Sequence, residues 1–191
     1  MILPVKPVKN TFFNLANKHK NIFYIIIFLL FANTGFAQEN DKNFIVDLAP
    51  QLSFSTGPLK KTNSFGYGGS LGFQFVTTEK LRLVARFAAI GYRGKSYTDV
   101  SGYDDEYPFL DLLQVTAGVK YFFTYGLFGA VQAGPVFSLG EANRGTGVTY
   151  APVLGFEFGE GPFYDISLRY DSNTIKGSTL NALTISVTYQ F

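Results

Sequence analysis

Charged side chains are sparse after residue 43. Many segments in this part of the chain alternate large apolar residues with small or polar ones, and several charges stand at the small or polar positions. This charged set has four acids and four bases: Asp47, Glu157, Asp165 and Asp171, with Arg82, Arg86, Lys120 and Arg169. Asp111 is a candidate fifth acid. Opposite charges persist inside a fold when they are paired. We therefore interpret the set as an ion-pair network that fills the interior of the fold. The alternative is a narrow polar pore or gate.

A Ser or Cys nucleophile commonly depends on a neighbouring His as its base, and this sequence has almost no residues for such a site. His19 is the single histidine, and there is no cysteine. Because His19 lies in a segment that we expect to be removed, the mature chain cannot build a Ser–His–acid site. The absence of Cys also excludes a disulfide framework and thiolate metal sites. No cofactor or metal is predicted. An enzyme built on aspartates alone would depend on Asp165, Asp171 and Glu157, which we interpret as interior and rim residues.

The first 37 residues are typical of a cleaved secretory signal peptide. Lys18 and Lys20 precede an apolar run at residues 22–31, which is about half of the ~20 residues that a membrane-spanning helix needs. Gly35 and Ala37 occupy the small-residue positions before a predicted cut ahead of residue 38. The alternative is an uncleaved transmembrane anchor. The predicted organisation is a signal peptide at residues 1–37 and one domain at residues 38–191.

Removal of the signal peptide changes the charge balance. The whole chain has 16 basic and 14 acidic residues, a net charge of +2. Lys6, Lys9, Lys18 and Lys20 leave with the signal peptide and no acid does, so the mature net charge is about −2. The basic balance of the full chain is therefore no argument for nucleic-acid binding, and no nucleic-acid partner is predicted.

Alternation with a period of two residues recurs in eight segments between Phe44 and Phe191, which predicts eight antiparallel strands. The predicted connections alternate between long (57–64, 93–107, 140–147 and 172–179) and short (77–80, 124–126 and 159–162). This order is typical of an up-and-down membrane barrel. In the fourth strand the alternation slips near Leu112 and Leu113, which suggests a β-bulge.

The residues opposite the apolar face indicate which way that face points. They are mostly Gly, Ala, Ser, Thr and Gln, whereas a water-exposed sheet face is rich in Lys and Glu. Small polar residues suit the narrow interior of eight strands, and an apolar face with Tyr near the strand ends suits lipid. The predicted fold is therefore all-β: an eight-stranded antiparallel up-and-down transmembrane β-barrel that follows a cleaved signal peptide. A soluble lipocalin-like barrel, with the apolar face inside, is the alternative.

The predicted loop at residues 93–107 has the most distinctive composition among the connections. It contains Tyr97, Tyr103, Asp104, Asp105 and Glu106 together with Ser and Gly. Tyr combined with small flexible residues is common in binding surfaces. Carboxylates can also bind a divalent cation, including those that bridge lipopolysaccharide, although no EF-hand spacing is present. We predict an external interaction surface, with an ordinary solvated loop as the alternative.

The last strand, from Leu183 to Phe191, resembles the C-terminal signal of outer-membrane barrels, in which a terminal Phe follows alternating apolar residues. Tyr189 and Phe191 occupy the matching positions. The pair Gly134-Pro135 and the run Phe109-Leu110-Asp111-Leu112 are similar to features of the small "outer membrane protein beta-barrel domain" family, which includes PorT-like and OmpX-like proteins. The resemblance covers residues 38–191. It implies insertion from the periplasm by the barrel-assembly machinery, and it implies no particular ligand.

These observations favour a small integral outer-membrane barrel with a structural or surface-interaction role and no catalysis. The alternatives are an accessory subunit of a larger outer-membrane secretion or transport assembly, and a narrow channel. The expected location is the outer membrane of a diderm bacterium, and an even number of strands places both termini in the periplasm. Expected partners are outer-membrane lipid and lipopolysaccharide, the assembly machinery during insertion, and a candidate outer-membrane protein.

Overall fold

The computed structural model describes residues 43–98, 103–139, 145–159 and 163–191. The predicted signal peptide at residues 1–37 lies outside these ranges and stays a prediction. In the same ranges, no helix has the length and apolar character needed to cross a bilayer. The elements in chain order are β1 (Phe44–Thr56), α1 (Leu59–Thr62), β2 (Asn63–Val76), β3 (Leu81–Gly94), β4 (Ser96–Thr98), β5 (Asp104–Glu106), β6 (Leu110–Phe122), β7 (Leu127–Ser138), β8 (Gly145–Phe158), β9 (Tyr164–Ile175) and β10 (Ser178–Gln190).

Eight of these strands form a closed antiparallel barrel in the order β1-β10-β9-β8-β7-β6-β3-β2. The barrel closes where β1 pairs with β10, from Asp47 opposite Gln190 to Thr56 opposite Asn181. Strands β4 and β5 form a separate two-stranded hairpin within the 93–107 loop. The predicted eight-stranded fold is confirmed. Closure pairs the backbone of both seam strands, which removes the open edges that lipid cannot solvate.

Alternation along each strand sorts the side chains between the exterior and the interior. On β1, Leu52 and Phe54 are about half exposed, whereas Gln51 and Ser53 are buried. The other barrel strands repeat this arrangement over most of their length, with large apolar residues outside and small or polar residues inside. At one end of the barrel, large apolar residues such as Leu112 also lie inside. The prediction that the apolar face points outward is confirmed. Because the two faces differ in this way, a slip of one residue in register would move the whole apolar set of a strand to the wrong side.

The β-bulge predicted in the fourth barrel strand is wrong. Strand β6 pairs continuously with β3, including Ile90 opposite Leu112 and Ala89 opposite Leu113. Leu110 and Leu112 are apolar and lie on the interior face, where they are 5% and 1% exposed. The strand phase is unchanged at this point. The inward residues change from polar to apolar because the interior itself changes from polar to apolar at this level. In a sequence, such a change looks the same as a β-bulge.

The long connection predicted at residues 172–179 is also wrong. Strand β9 continues to Ile175 and β10 begins at Ser178, so a two-residue turn joins them. Lys176 and Gly177 both have positive φ, 50° and 79°, as a type I′ hairpin turn requires. The polar run before the turn resembled a loop because its inward residues are polar. Asn173, for example, is 0% exposed and donates to the Leu180 carbonyl.

Candidate functional site: the barrel interior and the outer hairpin

Four of the predicted interior charges meet in one cluster near the start of β1 and the end of β10, and we call this side of the barrel the turn end. Glu157 accepts hydrogen bonds from Arg82 at both carboxylate oxygens, each at 2.9 Å. The Lys120 Nζ donates to the same carboxylate at 2.9 Å and lies 3.4 Å from Asp165. Gln190 Nε2 donates to Glu157 and Asp165 at 3.0 and 3.1 Å. Five side chains from five strands therefore cross-link the lumen at this level.

Two aromatic rings cover the cations of this turn-end cluster. Lys120 Nζ lies 3.8 Å from the ring centre of Phe128 and 5.1 Å from that of Phe122. Arg82 Cζ lies 4.6 Å from the Phe122 ring centre. A ring face attracts a cation more strongly when water is excluded. The rings therefore stabilise charges that Glu157 and Asp165 also neutralise.

A second pair occupies the middle of the lumen. Arg169 Nε lies 3.0 Å from Asp171 Oδ1, and both side chains are about 1% exposed. Asp171 Oδ2 also accepts a 2.7 Å hydrogen bond from Thr184, and Arg169 Nη2 donates to Gln114 at 3.1 Å. Gln114 in turn donates to Asn173 at 2.9 Å. Polar neighbours on several strands thus satisfy much of the hydrogen-bonding capacity of this buried pair, as buried ions require.

Asp47 and Arg86 belong to neither group. Asp47 Oδ2 accepts a hydrogen bond from Gln74 Nε2 at 3.0 Å. In the described part of the chain, Arg86 forms no ion pair, and its Nε and Nη2 are buried without a hydrogen-bond partner. Both residues line an interior cavity of about 50 Å³. Of the interior charges predicted from the sequence, the structure thus places Arg82, Lys120, Glu157 and Asp165 together, pairs Arg169 with Asp171, and leaves Asp47 and Arg86 facing a cavity.

The opposite side of the barrel, which we call the loop end, is filled by an apolar cluster that sequence reasoning missed. Its members come from α1 and five barrel strands: Leu59, Ile90, Tyr92, Leu110, Leu112, Val136, Ile175 and Ala182. Leu59 is 2% exposed, although its helix neighbours Lys60 and Lys61 are exposed. Tyr92 joins this cluster to the polar interior, because its hydroxyl lies 2.7 Å from Ser53 Oγ. The sequence feature that could have predicted this cluster is the group of apolar residues at inward positions near one end of several strands.

The β4–β5 hairpin carries the predicted loop residues. Tyr97 donates to Asp105 at 3.2 Å, and its ring lies 4.6 Å from that of Tyr107. Asp104 accepts a 2.9 Å hydrogen bond from Thr98 across the hairpin. Tyr103 is 76% exposed, and Asp104 to Glu106 are exposed. Within the described ranges, no group of three or more His, Cys, Asp or Glu side chains is placed to hold a metal ion. The paired strands β4 and β5 thus present aromatic and acidic groups at the surface.

Tyr189 and Phe191 lie at the end of a row of aromatic rings on the outer surface of the turn end. The row runs Phe158, Tyr164, Tyr189 and Phe191, with centre-to-centre distances of 6.0, 5.2 and 4.7 Å. The Phe191 amide donates to the Val46 carbonyl at 2.9 Å, which extends the β1–β10 seam. Aromatic rings at this level of a barrel are typical of a lipid–water boundary.

Comparison with known proteins found no matching family model and no matching curated protein. Similar solved structures include Ail, the attachment invasion locus protein of Yersinia pestis, at 13% identity and a TM-score of 0.53, covering 79% of this chain and 100% of that one. Neisserial surface protein A matches at 16% identity and 0.51, covering 80% and 100%. Outer membrane protein OprG of Pseudomonas aeruginosa matches at 10% identity and 0.50, covering 78% and 95%. The chain therefore has the fold of the small eight-stranded outer-membrane β-barrels.

Proposed function

We propose that this protein is a small integral outer-membrane barrel that acts through its external loops, chiefly residues 93–107, and not by catalysis. The apolar exterior is the observation that carries the membrane assignment. Leu168 and Ile185 are 44% and 43% exposed, and similar side chains surround the barrel, while the charges of the turn-end cluster and of the Arg169–Asp171 pair are buried inside. Exposure of such a continuous apolar surface to water is unfavourable, whereas contact with the hydrocarbon of a membrane is favourable.

The proposed orientation places the loop end outside the cell and both termini in the periplasm. The β4–β5 hairpin and α1 lie at the loop end, and the turns near residues 77–80 and 123–126 are short. Small outer-membrane barrels have short periplasmic turns and longer external loops. In this orientation the row of rings that ends at Phe191 lies at the periplasmic boundary of the membrane.

The hairpin supports a surface-interaction role. Its two short strands are held by backbone pairing from Ser96 opposite Glu106 to Thr98 opposite Asp104. Paired strands lose less conformational entropy on binding than unpaired chain of the same length. The proposed partners are lipopolysaccharide and another outer-membrane protein.

The interior favours a structural role over conduction or catalysis. Ion pairs connect β3, β6, β8 and β9 across the turn end, and the apolar cluster fills the loop end. Eight strands enclose a lumen that side chains nearly fill. The chain has no Cys, and its single His lies in the predicted signal peptide. Once the predicted signal peptide is removed, the chain has no His or Cys with which to build a Ser–His or Cys–His site.

Single cysteines at opposite ends test the membrane assignment and the orientation, because the natural chain has none. Tyr103→Cys and Tyr125→Cys place thiols at sites that are 76% and 91% exposed. With a membrane-impermeant maleimide on intact cells, we expect labelling of the first variant alone, and labelling of both after the outer membrane is opened. Labelling of the second variant alone on intact cells would reverse the orientation. A soluble product that shows no heat-dependent gel shift would rule out the membrane assignment.

Replacement of residues 96–106 by a short Gly-Ser turn tests the role of the hairpin. The barrel strands do not include this segment, so the variant is expected to insert and keep its heat-dependent gel shift. Affinity isolation from native membranes should recover a partner or lipopolysaccharide with the wild-type protein and lose it with the variant. The matched control is Lys60→Ala with Lys61→Ala, which alters another exposed part of the loop end. Equal recovery with all three proteins, or recovery with none, would contradict a role for the hairpin.

A further inference from the structure

Two charged residues of the barrel strands point away from the lumen. Leu110 and Leu112 face the interior, so Asp111 between them on β6 faces the exterior. On β3, Tyr92 is buried inside and Arg93, the next residue, is exposed on the outside. Every other charged residue in the described barrel strands occupies an inward position. Charges on the lipid-facing side of a membrane protein are costly, and those that occur commonly have a partner.

These two charges have opposite signs and stand on neighbouring strands at the loop end. Strands β3 and β6 are adjacent in the barrel, and Gly91 is opposite Asp111. Arg93 is the second-last residue of β3 and Asp111 is the second residue of β6, so each lies one residue inside the loop end of its strand. Among the described residues, no ion pair within 4.0 Å joins them.

The ring of Phe109 separates the two charges within one chain. A Cβ added at Gly91 would lie 2.6 Å from Phe109 Cε1 and 3.1 Å from Asp111 Oδ1. Because the β3–β6 register continues toward the rim, Phe109 stands beside Arg93, and its ring reaches diagonally across to Gly91. The ring therefore lies across the path between Arg93 and Asp111. Asp111 Oδ1 is fully enclosed, so Oδ2 is the oxygen that a cation from outside the chain would reach.

The barrel wall that carries this pair has small side chains on its outer surface. The small outward residues of β3 and β6 are Ala85, Ala89, Gly91 and Ala117. Strands β9 and β10 form the opposite wall. Their outward residues at mid-strand are large: Ile166, Leu168, Tyr170, Leu183, Ile185 and Val187. Small residues let two protein surfaces approach closely in a membrane, where packing and polar contacts drive association. The β3–β6 wall is therefore suited to contact with another protein surface.

The positions of the two charges make this wall complementary to itself. Two copies in one membrane stand the same way up, so a twofold axis between them runs along the membrane normal and brings β3 of each copy against β6 of the other. Arg93 of each copy then faces Asp111 of the other. We propose that the protein forms a symmetric dimer through the β3–β6 wall, with two such ion pairs at the loop end. The dimer rests on the proposed membrane location and does not depend on the role of the hairpin.

Disulfide cross-linking in native membranes tests the interface, because the natural chain has no Cys. Ala117→Cys places a thiol on the β3–β6 wall, and Ile185→Cys places one on the opposite wall, at a residue that is 43% exposed. After oxidation we expect a dimer band with the first variant and its loss with the second. Equal bands would overturn the dimer, and so would the absence of both bands, which would assign this wall to lipid or to a different protein.

Charge reversal in the Ala117→Cys background tests the ion pairs. Arg93→Asp or Asp111→Arg alone puts like charges across the interface and should weaken the dimer band at least about tenfold. Co-expression of the two single variants, one of them with a size tag, should restore the band as a heterodimer, because each altered charge then meets its opposite in the other copy. An ion pair within one chain does not explain such a rescue, since the two charges of each variant chain are alike. Failure of the rescue would overturn the pairing.

The heat-dependent gel shift separates loss of the dimer from loss of the fold. Each charge variant should keep the shift, because Arg93 and Asp111 lie at the rim and outside the interior ion pairs. Absence of the shift in the wild-type protein would contradict the membrane location, and with it the dimer. A wild-type protein that shifts on heating, without any cross-link at Ala117→Cys, would overturn the dimer alone.

Discussion

Arg82 on β3 and Glu157 on β8 are 75 residues apart in the chain and meet with two hydrogen bonds of 2.9 Å. Lys120 on β6 shares the same carboxylate. Paired N–H donors of a guanidinium match the two oxygens of a carboxylate, which gives this contact geometric specificity as well as energy. The contact exists only when the barrel is closed, since the strands that carry the two residues are three positions apart in the barrel order.

Loss of the shared carboxylate should destabilise the barrel strongly. Glu157→Gln leaves Arg82 and Lys120 without their shared anion, and removing one partner of a buried pair typically costs about 3–5 kcal/mol. The measurement is the free energy of unfolding of the refolded protein in urea. Glu106→Gln, on the exposed hairpin, is the control and should change stability by less than about 0.5 kcal/mol. Equal effects of the two variants would contradict a stabilising role for the turn-end cluster.

A charge on the exterior should be costly in lipid. Leu168 lies near the middle of β9 and is 44% exposed. Leu168→Arg is expected to lower the free energy of unfolding by about 2–4 kcal/mol in a bilayer, the range for a cation at mid-membrane depth on a barrel. Tyr125→Arg, in the turn between β6 and β7, should cost about 0–1 kcal/mol. A neutral Leu168→Arg variant in lipid vesicles would indicate that this face does not contact hydrocarbon.

The apolar cluster at the loop end should depend on α1. Leu59→Ala removes a side chain that is 2% exposed and should cost about 2–5 kcal/mol, or less where the loop can relax into the space. The same variant should make residues 57–63 more sensitive to protease, because the helix has only four residues and little stability of its own. Lys61→Ala, two residues further along α1 and exposed, is the matched control. Unchanged stability and protease resistance in Leu59→Ala would show that α1 does not hold the cluster together.

Phe191 should matter more for assembly in cells than for stability after folding. If the last strand is read by the assembly machinery, Phe191→Ala will reduce the inserted fraction in cells. Phe158→Ala, in the same aromatic row but on β8, should reduce it less. Both variants should lose a similar, small amount of stability when refolded into vesicles. Equal insertion of the two variants in cells would show that Phe191 has no special role in assembly and contributes only as one ring of the aromatic row.

Several features were predictable from residue order because they follow from local periodicity. The two-residue alternation in segments such as Leu183 to Phe191 identified the strands and their outer faces. The small polar residues on the opposite face indicated a narrow lumen. The connection at residues 172–179 was mispredicted because polar residues such as Asn173 suit a loop and a polar lumen equally well, and only burial separates the two.

The sequence by itself thus determined that the chain forms strands with one apolar face, and which charges lie on the other face. The tertiary structure decided how those charges combine: Glu157 with Arg82 and Lys120, Arg169 with Asp171, and Asp47 apart from Arg86. It also decided that Leu110 and Leu112 point inward to an apolar cluster. The physical reason is that periodicity is a property of neighbouring residues. Ion pairing and packing in a barrel depend instead on closure, which brings together residues from strands far apart in the chain.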